Sequence, residues 1–275
     1  MTDTTAKVRE HYSITGLINR IKLALTTIVP DGEPLTVDEL APLDQFHIRG
    51  MLASAELASA AELETSTRVL DVGCGIGGPA RSLAATFGCK VTGVDLSPDF
   101  IEAAVYLATR CGLSDRVRFQ VGDALHLPFE DASFDAVFLE HVAMNIEDRA
   151  ALYAEVHRLL TEGGRFVSYD LVLRGSGVLY PVPWARDAST SFLLTAGDTR
   201  IALEHAGFSV NLWRDDTQIA LDWFQAAIAG SAASGVNLAV VMGPDFPAIS
   251  GNLARNIREN RLGVLSAVLK AVSPS

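Results

Sequence analysis

An apolar run that leads into a glycine-rich segment, "VLDVGCGIGG", constrains the fold of this chain more than any other feature. It covers residues 69–78 and combines four glycines with one carboxylate. Gly73, Gly75 and Gly77 have the spacing G-x-G-x-G, while Gly73, Gly75 and Gly78 have the spacing G-x-G-x-x-G. Both spacings are typical of a loop that joins a strand to a helix and binds a nucleotide-like cofactor. The motif alone leaves the cofactor open.

Short strand-like segments alternate with helical patterns through the middle of the chain. A helix begins at Ser97 and Pro98 and stops at Gly112, and another runs from about residue 147 to 160. Such alternation predicts an α/β fold, a Rossmann-like doubly wound sheet that is mostly parallel and covered on both faces. The segments rich in β-branched and aromatic residues are 68–72, 90–95, 117–121, 134–139 and 165–173.

Three regions fall outside this alternation. Residues 1–64 predict an N-terminal helical cap on a core of residues 65–216. Residues 172–197 form a long link after the fifth strand, which predicts a substrate lid because such links are usually functional or mobile. Residues 217–275 predict a C-terminal helical segment. Its final helix is expected to carry one apolar stripe of Leu253, Ile257, Val264 and Val268.

Composition excludes several classes of protein. The chain has 275 residues, 22 Lys and Arg against 33 Asp and Glu, and a net charge of −11, which disfavours nucleic acid as a partner. No signal peptide and no apolar run of about 18 residues is visible, so we expect a cytoplasmic protein without a membrane span. Three cysteines without C-x-x-C spacing predict neither disulfides nor a zinc site, and no metal is expected.

Carboxylates at three predicted strand ends narrow the choice of cofactor. Asp95 can bind a ribose diol in either kind of cofactor. Asp123 can accept from an exocyclic amino group such as that of adenine. Asp71 would repel a pyrophosphate and suits a cationic ligand instead. The three acids therefore favour S-adenosyl-L-methionine over a dinucleotide.

Four segments between about residues 65 and 210 resemble the class I S-adenosylmethionine-dependent methyltransferases of small molecules. They are "VLDVGCGIGGPAR", "VTGVDLSPDFIEAA", "VGDALHLPFEDASFDAVF" and "LYAEVHRLLTEGGRF". The first is similar to the branch that contains sterol, tocopherol, phosphoethanolamine and sarcosine/dimethylglycine methyltransferases. The resemblance implies transfer of a methyl group to an oxygen, nitrogen or carbon atom of a small acceptor.

The same resemblance implies roles for particular residues. It implies that the methionine end of the cofactor is bound by Asp71, Gly73, Gly75 and Gly77. It also implies that Asp95 and Leu96 bind the ribose, and that Asp123 and Ala124 bind the adenine. The backbone near Leu139 and Glu140 is then expected beside the sulfonium.

Candidate catalytic residues follow the fourth strand. His141 and Glu140 are both expected at the rim of the crevice, where either could accept a proton if the acceptor must lose one. Either could equally have a structural role. Residues expected to meet the acceptor are Tyr12, Asn145, Asp170, Tyr180 and Trp184. Tyr12 resembles an N-terminal tyrosine that folds over the active site in some relatives.

Two other functions remain open at this point. The G-x-G-x-x-G match alone favours a nucleotide-dependent oxidoreductase. A methyltransferase-like subunit that binds cofactor without turnover is the other. The sequence leaves open the identity of the acceptor, and it also leaves open a homodimer.

Overall fold

The structure, a computed structural model, describes residues 3–30, 32–230 and 236–272, which include a seven-stranded sheet. Its strands are β1 (Arg68–Val72), β2 (Lys90–Asp95), β3 (Val117–Val121), β4 (Phe134–Glu140), β5 (Leu160–Leu173), β6 (Phe208–Asp215) and β7 (Leu262–Ala271). The helices are α1 (Asp3–His11), α2 (Leu17–Leu25), α3 (Val37–Asp44), α4 (Met51–Ala60), α5 (Gly78–Phe87), α6 (Pro98–Arg110), α7 (Arg149–Leu159), α8 (Ala196–His205), α9 (Thr217–Gly230), α10 (Ala239–Met242) and α11 (Phe246–Arg258).

The strand order is β3-β2-β1-β4-β5-β7-β6. Strands β1 to β5 pair in parallel, and β7 runs antiparallel to both β5 and β6. Because β1 is followed by β2 on one side and pairs with β4 on the other, the strand order reverses there. Ligands bind at such a switch point, beyond the carboxyl ends of the strands. The predicted fold class, a mostly parallel doubly wound α/β sheet, is confirmed.

Local chemistry explains why these elements form. Val69, Leu70 and Val72 of β1 are all buried, as expected for a strand that is covered on both faces. The hydroxyl of Ser97 accepts from the backbone N–H of Phe100 at 3.3 Å and so caps α6. The helix starts where the sequence predicted it to start.

Helices cover both faces of the sheet. One buried cluster joins the strands to α4, α5, α9 and α11, and a second joins them to α7 and α8. A third cluster packs α2 and α3 against α6. The predicted N-terminal helical cap is thereby attached to the same end of the molecule as the glycine loop.

A buried ion pair fixes this attachment. Arg81 of α5 donates to Asp44, at the end of α3, over 2.6 Å, and both side chains are almost fully buried. Arg81 also donates to the backbone oxygen of Ile76 at 2.8 Å. One guanidinium therefore connects the N-terminal helices to the loop that precedes α5.

The prediction that the C-terminal segment is helical throughout is wrong for the last part of that segment, which contains β7. Leu253 and Ile257 lie on α11, but Val264 and Val268 lie on β7, between β5 and β6. The apolar spacing that suggested a helix arises because β7 is central in the sheet, where residues on both faces are buried. The sheet therefore extends past residue 216, where we placed the end of the core.

The segment predicted as a lid packs closely against the C-terminal part of the chain. Its first two residues continue β5. Asn256 of α11 accepts from the backbone N–H of Leu179 at 2.8 Å and donates to its carbonyl oxygen at 2.9 Å. Within the described residues, no helix is both long and apolar enough to cross a membrane.

Candidate functional site

A cavity of about 710 Å³ lies at the carboxyl ends of β1, β2 and β4. Its wall includes the glycine loop, the ends of these strands, helix α1 and parts of the C-terminal helices. This is the position that the switch in strand order predicts for a ligand. Of the predicted site residues, it brings together Tyr12, Gly73, Gly75, Asp95, Leu96, Asp123, Ala124, Glu140, His141, Asn145 and Trp184.

Two glycines of the loop present bare backbone to this cavity. Gly73 and Gly75 both have positive φ, +74° and +56°. A Cβ at Gly73 would lie 2.4 Å from a methyl group of Val142, and one at Gly75 would lie 2.8 Å from the ring of Phe46. No other residue fits at these positions without displacing its neighbours.

Asp95 supports the loop and faces the cavity. Its carboxylate accepts from the backbone N–H of Gly75 and from that of Ser97, each at 2.9 Å. Burial raises the pKa of Asp95 to about 6, and these backbone hydrogen bonds oppose the shift. A buried carboxylate of this kind gains from a ligand that donates hydrogen bonds to it, as a ribose diol does.

Three residues predicted to hold the cofactor do not line the cavity. Gly77 has a φ of +81° and is the N-cap of α5, and a Cβ there would lie 2.6 Å from the ring of Phe119, so it allows close packing against that ring. Leu139 is fully buried within β4. Asp71 is buried at the end of β1, and its Oδ2 has no hydrogen-bond partner.

The surroundings of Asp71 disfavour its charged form. Burial raises the pKa of Asp71 well above its ordinary value, and the neighbouring carboxylates of Glu140 and Asp95 raise it further. Asp71, Asp95 and Glu140 lie close together, so all three can be ionised at once only if positive charge lies near them.

Glu140 belongs to a buried hydrogen-bonded group that sequence analysis did not find. The hydroxyl of Ser54 donates to the Glu140 carboxylate, with its oxygen 2.9 and 3.0 Å from the two carboxylate oxygens. The Nε2 of His47 lies 3.1 Å from the same hydroxyl and 2.9 Å from the carbonyl oxygen of Gly50. We call Glu140, Ser54 and His47 the Glu140 hydrogen-bond cluster.

Burial shifts the pKa values of both titratable side chains in this cluster, Glu140 and His47. It raises the pKa of Glu140 to about 7, against the hydrogen bond from Ser54, and it lowers the pKa of His47 to about 4. At neutral pH His47 is uncharged and Glu140 exchanges its proton readily. A carboxyl group with this pKa is well matched to accept a proton near pH 7.

His141 occupies a strained backbone position beside Glu140. Its φ is +55°, which costs a residue with a Cβ about 1–2 kcal/mol. Its Nε2 is buried without a hydrogen-bond partner, and burial lowers its pKa well below the ordinary value. His141 is therefore a poorer base than Glu140, and its free nitrogen can bind a polar ligand atom.

Two predicted acceptor residues sit elsewhere. Asp170 does not line the cavity; it accepts from the backbone N–H of Ala143 at 2.7 Å and from that of Leu171 at 2.8 Å, and so holds the loop after β4. Tyr180 packs against the hydrophobic core and also lies outside the cavity wall.

The other three predicted acceptor residues line the cavity. The hydroxyl of Tyr12 lies 3.5 Å from Oδ1 of Asn145, at the outer limit of a hydrogen bond. Burial raises the pKa of Tyr12, so its hydroxyl stays protonated. Trp184 is 1% exposed and donates from its indole N–H to the hydroxyl of Ser191 at 2.9 Å.

Sequence analysis also missed the apolar wall of the cavity. Trp223, Phe224 and Phe246 contribute to it from α9 and α11, which lie in the segment predicted only as C-terminal helices. No spacing distinguishes a helix face that lines a cavity from one that lines a core. The role of Ser54 could not be predicted either, because a serine in a helix of small residues gives no sequence pattern that distinguishes it.

Comparison with known proteins agrees with this geometry. The methyltransferase domain family matches residues 70–168. Methyltransferase GfsG of Streptomyces halstedii is 35% identical over 144 residues, which cover 52% of this chain and 50% of that protein. Sterol 24-C-methyltransferase of Saccharomyces cerevisiae is 31% identical over 180 residues, covering 61% of this chain and 46% of that protein.

A solved structure matches over nearly the whole chain. Geranyl diphosphate C-methyltransferase from Streptomyces coelicolor A3(2), in complex with Mg²⁺, geranyl diphosphate and S-adenosyl-L-homocysteine, superimposes with a TM-score of 0.71. The match covers 98% of both chains at 17% identity, a level that shows a shared fold.

Residues 70–168 therefore match the methyltransferase domain family, and the chain shares the fold of geranyl diphosphate C-methyltransferase. The resemblance to small-molecule methyltransferases, sterol methyltransferases among them, is confirmed. Solved structures of geranyl diphosphate methyltransferases with this fold contain S-adenosyl-L-methionine or S-adenosyl-L-homocysteine. The chain spans about half the length, or less, of the curated relatives it matches.

The residues present fit this cofactor. Asp71 has an unpartnered carboxylate oxygen behind a loop that leaves no space for side chains at Gly73 and Gly75. An ammonium and a sulfonium would offset the charge of the buried acids, whereas a pyrophosphate would add to it.

Proposed function

We propose that this protein transfers the methyl group of S-adenosyl-L-methionine to a small-molecule acceptor. The observation that carries the proposal is a single cavity that joins the glycine loop and Asp95 to Glu140 and to apolar walls. A cofactor and an acceptor can therefore lie together, away from water. Proximity and exclusion of water supply much of the rate in such transfers.

The cofactor would be held by residues in and behind the wall. Asp95 and Leu96 would hold the ribose, Asp123 and Ala124 would lie at the adenine, and Asp71, behind the glycine loop, would face the cationic end. When bound, S-adenosyl-L-methionine supplies a methyl group on a cationic sulfur, and the electrons of the broken carbon–sulfur bond stay on sulfur. The acceptor forms its new bond with its own electron pair.

Glu140 takes the proton that the acceptor loses. Its raised pKa, about 7, makes it ionised often enough to act and basic enough to accept. Ser54 orients the carboxylate through its hydrogen bond. His141 binds the acceptor through its unpartnered Nε2.

A labelled-methyl assay tests this proposal. Purified protein is incubated with methyl-labelled S-adenosylmethionine and a panel of alcohols, amines and carbon acids. We expect label in at least one acceptor and S-adenosylhomocysteine in equal amount. Cofactor binding without transfer to any acceptor would instead favour the cofactor-binding subunit.

The cellular setting is also a proposal. The cysteines Cys74, Cys89 and Cys111 are free thiols, which agrees with a reducing, cytoplasmic compartment. A homodimer stays a prediction that sedimentation can test.

A further inference from the structure

The cavity extends well beyond the residues assigned to the cofactor, and part of its remaining wall is a set of large apolar side chains. Its volume of about 710 Å³ can hold two ligands from the lower end of the range of about 300–1,000 Å³ that is common for ligand pockets. We call the apolar part the acceptor chamber. Its wall consists of Met144, Trp184, Trp223, Phe224, Phe246 and Leu253.

The Asp, Glu, Lys and Arg side chains that line the cavity among the described residues are all acidic. No Lys or Arg lines it among the residues that the structure describes, and the remaining residues of the chain include neither type. The two histidines of the wall, His47 and His141, both have lowered pKa values. A phosphate or carboxylate on the acceptor would therefore enter without a cation to pair with it. The acidic side chains of the wall are Asp95, Asp123, Glu140, Glu147 and Asp148.

Two arginines that flank the wall in sequence have partners of their own. Arg149 donates to the carbonyl oxygens of Ile146 and Phe192, at 3.0 and 2.8 Å. Arg186 pairs with Asp245 at 2.9 Å. Nor does any group of three His, Cys, Asp or Glu side chains, across the described part of the chain, stand ready to bind a metal that could bridge to a phosphate.

Glu140, the last residue of β4, and His141, the next residue, line the cavity. The carboxylate of Glu140 accepts from Ser54 and has lone pairs left for another donor. The Nε2 of His141 has no partner. A hydroxyl group can donate to the Glu140 carboxylate and accept from the His141 Nε2 when that nitrogen carries its proton, whereas a hydrocarbon leaves both unsatisfied.

We infer that the acceptor is an uncharged, predominantly apolar alcohol or phenol, whose carbon skeleton fills the acceptor chamber and whose hydroxyl lies at Glu140 and His141. This inference rests on the proposed function. The hydroxyl oxygen forms the bond to the methyl carbon as that carbon leaves sulfur. The hydroxyl proton passes to Glu140.

Binding measurements with the protein saturated in S-adenosylhomocysteine test the inference without turnover. Trp184 and Trp223 lie in the chamber wall, so their fluorescence reports occupancy. The probes are geraniol, 1-decanol and 2-naphthol, each compared with its phosphate ester, and 2-methoxynaphthalene as the partner of 2-naphthol that lacks a donor.

We expect at least one alcohol to bind, and to bind at least tenfold more tightly than its phosphate ester. We also expect 2-naphthol to bind more tightly than 2-methoxynaphthalene, with the difference reduced in Glu140→Gln. Phosphate esters that bind as well as the alcohols, or an absence of binding by all three alcohols, would overturn the inference.

A charge placed in the chamber gives an independent check. Ser250 of α11 lines the cavity, and Ser250→Lys adds the missing cation while Ser250→Gln adds similar bulk without charge. We expect the lysine variant alone to bind the phosphate esters more tightly than the native protein does. Calorimetry of S-adenosylhomocysteine separates the two proposals, because its failure to bind would refute the proposed function, whereas a preference for phosphate esters would refute the acceptor class only.

Discussion

At the scale of single residues, the central assignment is that Glu140, more than His141, accepts the proton. Burial moves their pKa values in opposite directions, to about 7 for Glu140 and well below the ordinary value for His141. An imidazole that resists protonation is a weak base at neutral pH. Sequence alone could not rank the two residues, because burial by the N-terminal helices decides the matter.

Exchange of each residue for its amide-bearing analogue tests this ranking. We expect Glu140→Gln to lower kcat on the order of 10²-fold or more, the usual scale for loss of a general base. His141→Asn should raise KM for the acceptor more than it lowers kcat. Steady-state kinetics with calorimetry of the cofactor measures both. Larger loss of kcat in His141→Asn, or loss of cofactor affinity that equals the loss of turnover in Glu140→Gln, would contradict the assignment.

Ser54 tunes the same carboxylate. Its hydrogen bond lowers the pKa of Glu140, so Ser54→Ala should raise that pKa above about 7. Because the reaction needs Glu140 ionised, the rate falls as pH drops through this pKa. The acidic limb of the pH–rate profile should therefore move to higher pH in the variant. Ser59→Ala, on the exposed face of the same helix, is the control and should leave the limb in place. An unmoved limb in Ser54→Ala would remove Ser54 from the mechanism.

At the scale of elements, the contact between α3 and α5 positions the glycine loop. Arg81 and Asp44 are buried together, so removal of either leaves an unpaired buried charge. We expect Asp44→Asn or Arg81→Met to lower the free energy of unfolding by about 3–5 kcal/mol in urea titrations. The double variant should be less destabilised than the sum of the single variants. The exposed pair of Arg68 and Asp135 is the control, worth less than about 1 kcal/mol. Equal effects in both pairs would refute the argument.

Strand β7 is the element that the sequence pattern failed to predict. It pairs with β5 and β6, so the backbone N–H of each residue faces a neighbouring strand. Val268→Pro removes one such bond and leaves a buried acceptor unsatisfied, which should lower the free energy of unfolding by about 1–3 kcal/mol. Lys270→Ala, whose side chain is exposed, should be near neutral. A well-folded Val268→Pro protein of native stability would argue against the pairing of β7.

Predictability from sequence differs between these elements. Strands β1 to β3 have the bounds that the sequence predicted, because turn residues and the glycine loop border them. A buried strand such as β7 and a buried helix share the same apolar composition, so only neighbours in space distinguish them. The roles of Asp170 and Tyr180 were missed for the same reason, since a strand end or a loop does not reveal which way its side chain points.

At the scale of the whole molecule, charge and shape favour one kind of ligand. The chain has a net charge of −11, and the cavity is lined by acids from three strand ends and their loops. A cationic nucleoside is attracted to this site, whereas a dinucleotide brings two negative phosphates to it. The loop geometry admits either ligand, and the acids discriminate between them.

The most direct test of the account is calorimetric titration of the protein with S-adenosyl-L-methionine, S-adenosylhomocysteine and NADH. We predict binding of the first two and none of NADH. Asp95→Ala should weaken that binding by roughly 1.5–3 kcal/mol, the usual worth of a charge-assisted hydrogen bond. Because Asp95 also accepts from the backbone N–H groups of Gly75 and Ser97, the melting temperature of the variant without ligand should fall as well, and affinity is measured where the variant is folded. Binding of NADH in place of S-adenosyl-L-methionine, or full affinity in Asp95→Ala, would contradict the account.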